Sequence, residues 1–354
     1  MKEILTPRNI LAEDYDLNTM GISQSLLGIW NHCQRAFVLR VSGYEGYSKP
    51  ENFIFGNLVH EVNDKSYTAG VLPGKKKIIQ YIDEAVDKQW SDGVILTSQI
   101  MEKEAALTQA VMVPYFDFYK SDFTEKNFYD IEKRFDVKYS GARLRGKIDG
   151  KFRTKVRKSK WLMEHKTKGQ INEDSLITYL PLDLQNRMYL LADWIESGEL
   201  AKGVLYNVIR KPGNKQLKNE SLKDFMEKIT EACQSNPTHY YKRWEVPYTE
   251  KDIDNCGAEL SRMLEDIKFK ADISIYPSTS NCLKPFSCQY LRACSENSLQ
   301  SLKPGRDLFP ELAEETDNAS KKSTIQKKSN TQEKKVLKRV LQRKVAKRVL
   351  KRRK

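Results

Sequence analysis

The sequence predicts an α/β protein in which a mixed β-sheet is flanked by helices, with a helical subdomain and a basic C-terminal tail attached. Apolar residues recur at helical spacing through the first 120 residues, and the period falls to two near residue 128. From 182 onward, helical and strand-like segments alternate, which places a sheet at the core.

At 354 residues, 39% apolar and 10% aromatic, the chain can bury the core of one large domain or two modest ones. No run of eighteen apolar residues exists, so no membrane span is expected. The opening MKEILTPRNILAEDYD has acids where a signal peptide needs an apolar core, so a cytoplasmic protein is expected. In that reducing setting the six cysteines read as metal ligands or free thiols. The net charge of +14 suggests a polyanionic partner, yet residues 320–354 hold sixteen Lys or Arg against Glu333 alone. The body is therefore nearly neutral.

Taken in order, 23–41 reads as one helix with Ser23 or Ser25 as N-cap, and Gly43 and Gly46 mark a loop. A helix over 53–68 carries Gly56 and, one turn on, His60: a glycine lets the backbone pack closely, and the histidine presents an imidazole on the next turn. Residues 75–91 and 98–120 read as helices covering the site, separated at Asp92-Gly93. FYDIEKRFDVKYS, ARLRGKIDGKFRTKV and KWLMEHKT, with turns at Gly141 and Ser159, read as an antiparallel meander. Helices over 182–198, 216–234 and 249–270 alternate with strands over 201–210 and 239–246. The tail pairs Val and Leu with basic doublets, but the spacing shifts after Leu341 and no single amphipathic face results. A flexible basic arm is expected.

The chemistry centres on 142–168. Hydrolysing a phosphodiester needs charge neutralisation and a poised water, and a divalent metal supplies both. Mg²⁺ and Mn²⁺ want hard oxygen ligands, which Asp149 and Glu164 would offer from neighbouring strands. Glu164 and Lys166 share a strand face, and the lysine would orient or help deprotonate water or offset phosphate charge. His165 would point away. Gln185 and Tyr189 share a helix face beside the core stripe Leu184, Met188, Leu191 and Ile195. Read singly, Asp149 suits a turn before Gly150, and Glu164 with Lys166 an exposed strand pair.

Together, Gly56-x3-His60, Asp149 within GKIDG, Glu164-x-Lys166 and Gln185-x3-Tyr189, in that order, resemble the PD-(D/E)XK nuclease superfamily, most closely its RecB-like branch with the CRISPR-associated exonucleases. The resemblance implies a restriction-endonuclease-like α/β core. It also implies Asp149 and Glu164 as metal-binding acids, His60 as a further metal ligand and Lys166 as the catalytic lysine. Gln185 and Tyr189 would position the DNA strand or a catalytic side chain. Glu132, in YDIEKRF, sits where relatives often carry a strand glutamate.

Cys282, Cys288 and Cys294 recur at sixes, and six residues turn a helix by about 600°, so with Pro285 among them a loop is expected. In iron–sulfur members of that branch an early cysteine joins three late ones around a [4Fe–4S] cluster. Cys33 resembles the early element and Cys288-x5-Cys294 the late spacing, although five residues separate Cys282 from Cys288 where two are usual. Structural zinc and free thiols are the alternatives. Cys233 and Cys256, on helices among apolar neighbours, read as core thiols.

The resulting expectation is a Mg²⁺- or Mn²⁺-dependent deoxyribonuclease, an exonuclease on DNA ends or single strands, serving recombination, repair or mobile-element DNA processing. Its segments are a lead over 1–20, a nuclease domain over 21–302 with a helical insertion (61–127) and a cysteine-rich loop (276–295), a linker over 303–333 and the tail over 334–354. No Walker A sequence is present, since Pro73-Gly74-Lys75-Lys76 lacks its spacing and hydroxyl residue, so a partner helicase would be another chain. A nucleic-acid-binding or assembly protein that keeps the fold without activity is the alternative, motivated by the tail.

Overall fold

The computed structural model describes residues 15–46, 52–91, 98–270, 277–283, 287–305 and 308–309. Asp92-Gly93, Pro285 and the basic tail lie outside them. The chain opens with α1 (Gln24–His32) and α2 (Gln34–Val41), then β1 (Tyr44–Glu45), α3 (Asn52–Ala69), α4 (Lys75–Ser91), α5 (Ser98–Phe118) and α6 (Asp122–Glu125). The strands β2 (Lys126–Tyr129), β3 (Lys133–Tyr139), β4 (Ala142–Ile148), β5 (Gly150–Thr154) and β6 (Lys160–Lys168) follow. Then come α7 (Glu173–Tyr179), α8 (Leu184–Ser197), β7 (Gly203–Arg210), α9 (Leu222–Ser235), α10 (Pro237–Tyr240), β8 (Tyr241–Pro247) and α11 (Glu250–Lys270). A short α12 (Leu291–Glu296) and β9 (Lys303–Pro304) close the described chain.

The main sheet runs β2-β5-β6-β7-β8, antiparallel except for the parallel β6–β7 pair, so it is mixed as expected. Alternate side chains divide between two apolar layers. Leu162, Val204, Tyr206 and Val208 join α8 and α11 through Met188, Leu191, Ile253 and Leu260. Met163, Leu205 and Ile209 join α3, α5 and α9 through Val59, Val62, Val111 and Phe225. Burial on both faces explains why β7 reads as a continuous apolar run. Among the described residues no helix is long and apolar enough to cross a membrane.

Several expectations need correction. The helix over 23–41 is two helices, because Cys33 is extended (φ −161°, ψ 112°) while its N–H still caps Ile29. Ser23 is the N-cap, accepting from the Leu26 N–H. The meander is interrupted: β3 and β4 form a separate hairpin, and the chain switches to the main sheet at Asp149, which bends between β4 and β5. Helix α9 begins at Leu222 because Ser221 caps it, so 216–221 is not helical. Cys294 sits on a short helix rather than in a loop. The segment from 303 is packed at its start, since β9 pairs with β1 and Phe309 is 5% exposed beneath the Arg145 guanidinium.

Candidate active site

The residues singled out in the sequence come from α3, the β4–β5 bend, β6 and α8, and they meet in one cleft. His60, Asp149, Glu164, Lys166, Gln185 and Tyr189 all line this cavity of about 1070 Å³. Gly56 brings α3 against β6, where a Cβ would stand 3.0 Å from Thr167 Oγ1. That close approach carries His60 to the end of the strand, with its Nδ1 3.8 Å from Asp149 Oδ2. Asp183 caps α8 by accepting from the Asn186 N–H, setting the helix phase that points Gln185 and Tyr189 at the cleft. Gly146 makes room in β4, where a Cβ would meet the Phe135 ring at 2.7 Å and Tyr189 at 3.4 Å.

Glu164, only 3% exposed, is the hub. Its Oε1 accepts from Lys166 Nζ and, at 2.7 Å, from Gln185 Nε2, while Gln185 Oε1 accepts from Lys166 at 3.0 Å. These three form a closed triangle, so Gln185 fixes the lysine. Asp149 is held separately: its Oδ2 accepts the His165 backbone N–H at 2.7 Å. Tyr189 packs edge-on against Phe135, 5.4 Å between ring centres, at the cleft wall.

Glu132 belongs to the site. It reaches the cleft from the turn before β3 in a left-handed conformation (φ +51°), its N–H bonded to the Asp149 carbonyl and its carboxylate paired with Lys147. Donor atoms of His60, Glu132 and Asp149 lie within 4.8 Å of one another, the one such group of three or more potential ligands among the described residues. Glu164 falls outside that group.

Crowded, poorly solvated acids hold their protons. Burial, with Asp149 beside it, pushes Glu164 up to about 7, and the same two causes push Glu132 up to about 8. Asp149 is raised too, by burial against the pull of Lys166. Burial lowers His60, so its imidazole is neutral and free to ligate. Lys166 rises despite burial because Glu164 and Asp149 favour its charge. An acid cluster with a neutral imidazole matches a hard divalent cation.

Sequence reasoning missed the support behind these groups. The His165 side chain does point away from the cleft, as expected, but into a built network rather than bulk core. Its Nδ1 lies 2.8 Å from Asn207 Nδ2, its ring stacks on Tyr67, and Asn207 Oδ1 accepts from Arg243. Arginine only donates, so Asn207 must turn its oxygen to Arg243 and its amide nitrogen to His165. His165 Nδ1 is then the acceptor, and burial keeps the ring neutral.

The cysteine set is drawn together from both ends of the chain. Cys33 lies buried at the α1–α2 break, its Sγ accepting the Ser278 N–H at 3.4 Å. It shares an apolar cluster with Tyr290, Cys288 and Cys294. The Cys288 N–H donates to the Cys282 carbonyl at 2.8 Å. Burial raises Cys288 and Cys294, and the neighbouring thiols of the set add to the rise. Cys233 and Cys256 are fully buried, on α9 and α11.

No curated protein matches the chain. Solved structures do. One, a crystal structure named "putative exonuclease" from Eubacterium rectale, is 12% identical and superposes with a TM-score of 0.43 over 82% of this chain and 92% of its own. Another, named SSO0001, is 13% identical with a TM-score of 0.29 over 69% and 85%. The family profile described as the PD-(D/E)XK nuclease superfamily matches residues 21–295, most of the chain and the whole of the cleft apart from Leu308. The chain belongs to the PD-(D/E)XK nuclease superfamily.

Proposed function

We propose that this chain is a Mg²⁺- or Mn²⁺-dependent deoxyribonuclease of the RecB-like branch, working as an exonuclease on DNA ends or single strands. The observation that carries the reading is the convergence of His60, Asp149, Glu164, Lys166, Gln185 and Tyr189 in one cleft from separate parts of the chain. His60, Glu132 and Asp149 would hold the ion, with Glu164 at its edge. A divalent ion supplies charge neutralisation at the phosphate and a more acidic water. Lys166, held by Glu164 and Gln185, offers its ammonium protons to the attacking water or the phosphate oxygens. Tyr189 forms a wall against which the strand rests.

The four-cysteine set supports an iron–sulfur staple joining α1–α2 to the 276–295 segment. In this reading the nuclease domain spans 21–302, the tail is a DNA-binding or docking arm, and a helicase or recombination protein acts as a separate partner.

The test is end-labelled single- and double-stranded DNA incubated with full-length protein in Mn²⁺ or EDTA, beside Lys166→Ala and Asp149→Ala. Wild type should cleave only with metal; Lys166→Ala should be slower by about 10²–10³-fold, the cost of removing one transition-state donor, and Asp149→Ala, which removes a metal-holding carboxylate, by at least about as much. Equal degradation by all three, or none by wild type, would overturn the assignment.

A further inference from the structure

Beyond the metal centre, the cleft wall made by α3 and α4 carries a group that the chemistry above does not use. Gln89, on α4, lines the cleft and is 6% exposed, yet among the described residues neither its Nε2 nor its Oε1 has a hydrogen-bond partner. A buried amide left unpaired on both atoms costs the fold stability. An apolar residue of the same shape would avoid that cost, so the amide is better explained by something that enters the cleft.

The charges around it indicate what enters. Glu61 and Asp64 line the same wall from α3, with Lys88 paired to Glu61 at 2.6 Å. That wall repels a phosphate. The β3–β4 side carries Lys133, Arg134 and Lys147, and although Lys133 pairs with Asp130 and Lys147 with Glu132, it keeps one positive charge in excess where Glu61, Asp64 and Lys88 leave α3–α4 one negative. A strand crossing the cleft therefore turns its phosphates toward β3–β4 and its bases toward α3–α4. Ala85, one turn before Gln89 on the same helix face, also lines the cleft.

We propose that Gln89 is a base seat: its amide takes the donor–acceptor edge of one unpaired nucleobase while that strand's backbone lies across the metal site. This rests on the nuclease reading and deepens it: the edge meant is the Watson–Crick edge, which the partner base occupies in a duplex, so the seat selects a single strand. A primary amide presents an N–H donor beside a carbonyl acceptor, enough to pair bidentately with the Watson–Crick edge of an unstacked base.

The probe is a fluorescein-labelled 12-nucleotide DNA strand with one abasic nucleotide stepped along it. Binding is followed by anisotropy in Ca²⁺, with Lys166→Ala in both proteins to suppress cleavage, and full-length chains with and without Gln89→Met are compared. At one position the abasic nucleotide should weaken binding about tenfold with Gln89 and leave it unchanged with Met, a coupling that a double-mutant cycle isolates. The Met chain should melt at the same or a higher temperature, because an unpaired amide has been replaced by an apolar group of like shape. An equal abasic penalty in both proteins, or a Met chain that is less stable with DNA binding intact, would overturn the seat, the latter pointing to internal water as the amide's partner. Cleavage by wild type alongside an equal penalty leaves the nuclease standing and removes the seat. A penalty that vanishes in Met while wild type cleaves nothing does the reverse.

Discussion

Two clusters of buried charge meet at the end of β6 and respond to burial in opposite ways. Around Arg243, the guanidinium bonds Asp122 at 2.8 Å, Tyr115 at 2.7 Å, Tyr67 at 3.0 Å and Asn207 at 2.7 Å. Burial alone would raise Asp122, but Arg243 and Lys126 outweigh it and the carboxyl is held below its usual range. In the cleft, three carboxylates share Lys147 and Lys166, and burial plus mutual repulsion drives them up. The first cluster is complete in itself and acts as structure. The second is short of positive charge, which suits the cation proposed for it.

The largest effect that would break this contrast lies in the complete cluster. Asp122→Asn leaves Arg243 buried without its charge partner, and such a loss costs about 3–5 kcal/mol. Urea denaturation should show it at neutral pH. Because the folded-state pKa of Asp122 is depressed, this stability is present above the unfolded value near 4 and is lost as pH falls through the folded value. Wild type and variant should therefore converge only below about pH 4. A constant difference down to that range and beyond would mean that the charge of Asp122 is not what stabilises the cluster.

The two clusters were unequally visible in the sequence. Asp149, Glu164 and Lys166 could be read because strand alternation places an E-x-K pair on one face and the acid precedes it closely. His60, Gln185 and Tyr189 have a helical spacing that by itself suits ordinary core or rim residues, and only the resemblance of the ordered set to the PD-(D/E)XK superfamily marked them. Glu132 was harder: it reaches the site through a left-handed residue and a switch between two sheets at Asp149, and alternation carries no sign of either. Arg243, Asn207 and Asp122 were invisible for a different reason. Each sits in an ordinary strand or helix-end context, and its partners lie far along the chain, 121 residues apart for Arg243 and Asp122. The break at Cys33 was missed likewise, since the helical apolar pattern runs through it and only contacts with 278–282 reveal it.

A cation should erase the difference between the clusters. Mn²⁺ at about 100 times its dissociation constant should stabilise the fold by roughly 2.7 kcal/mol, read as a higher melting temperature that EDTA reverses. Glu132→Gln should abolish most of that gain, because it removes one of the three gathered ligands. A full Mn²⁺ response in the variant would move the ion away from Glu132 and toward Glu164.

The smallest effect tests whether the clusters are independent. Asn207 joins them: its oxygen accepts from Arg243, its amide nitrogen donates to His165, and the His165 backbone N–H holds Asp149. Asn207→Ala leaves His165 Nδ1 and one Arg243 donor unpaired, which should cost about 1–3 kcal/mol of stability. If the network only supports the core, Mn²⁺ affinity measured on the folded protein will not change. We expect it to fall, because the imidazole that is locked between Tyr67 and Asn207 fixes the backbone of β6 at the point where Asp149 is anchored. Asn207→Asp keeps an acceptor for Arg243 and lets His165 switch to the Nδ1–H tautomer and donate to the new carboxylate, so stability and metal affinity should both largely recover. Metal affinity that stays low while stability recovers would show that locking the His165 ring is not what couples the clusters.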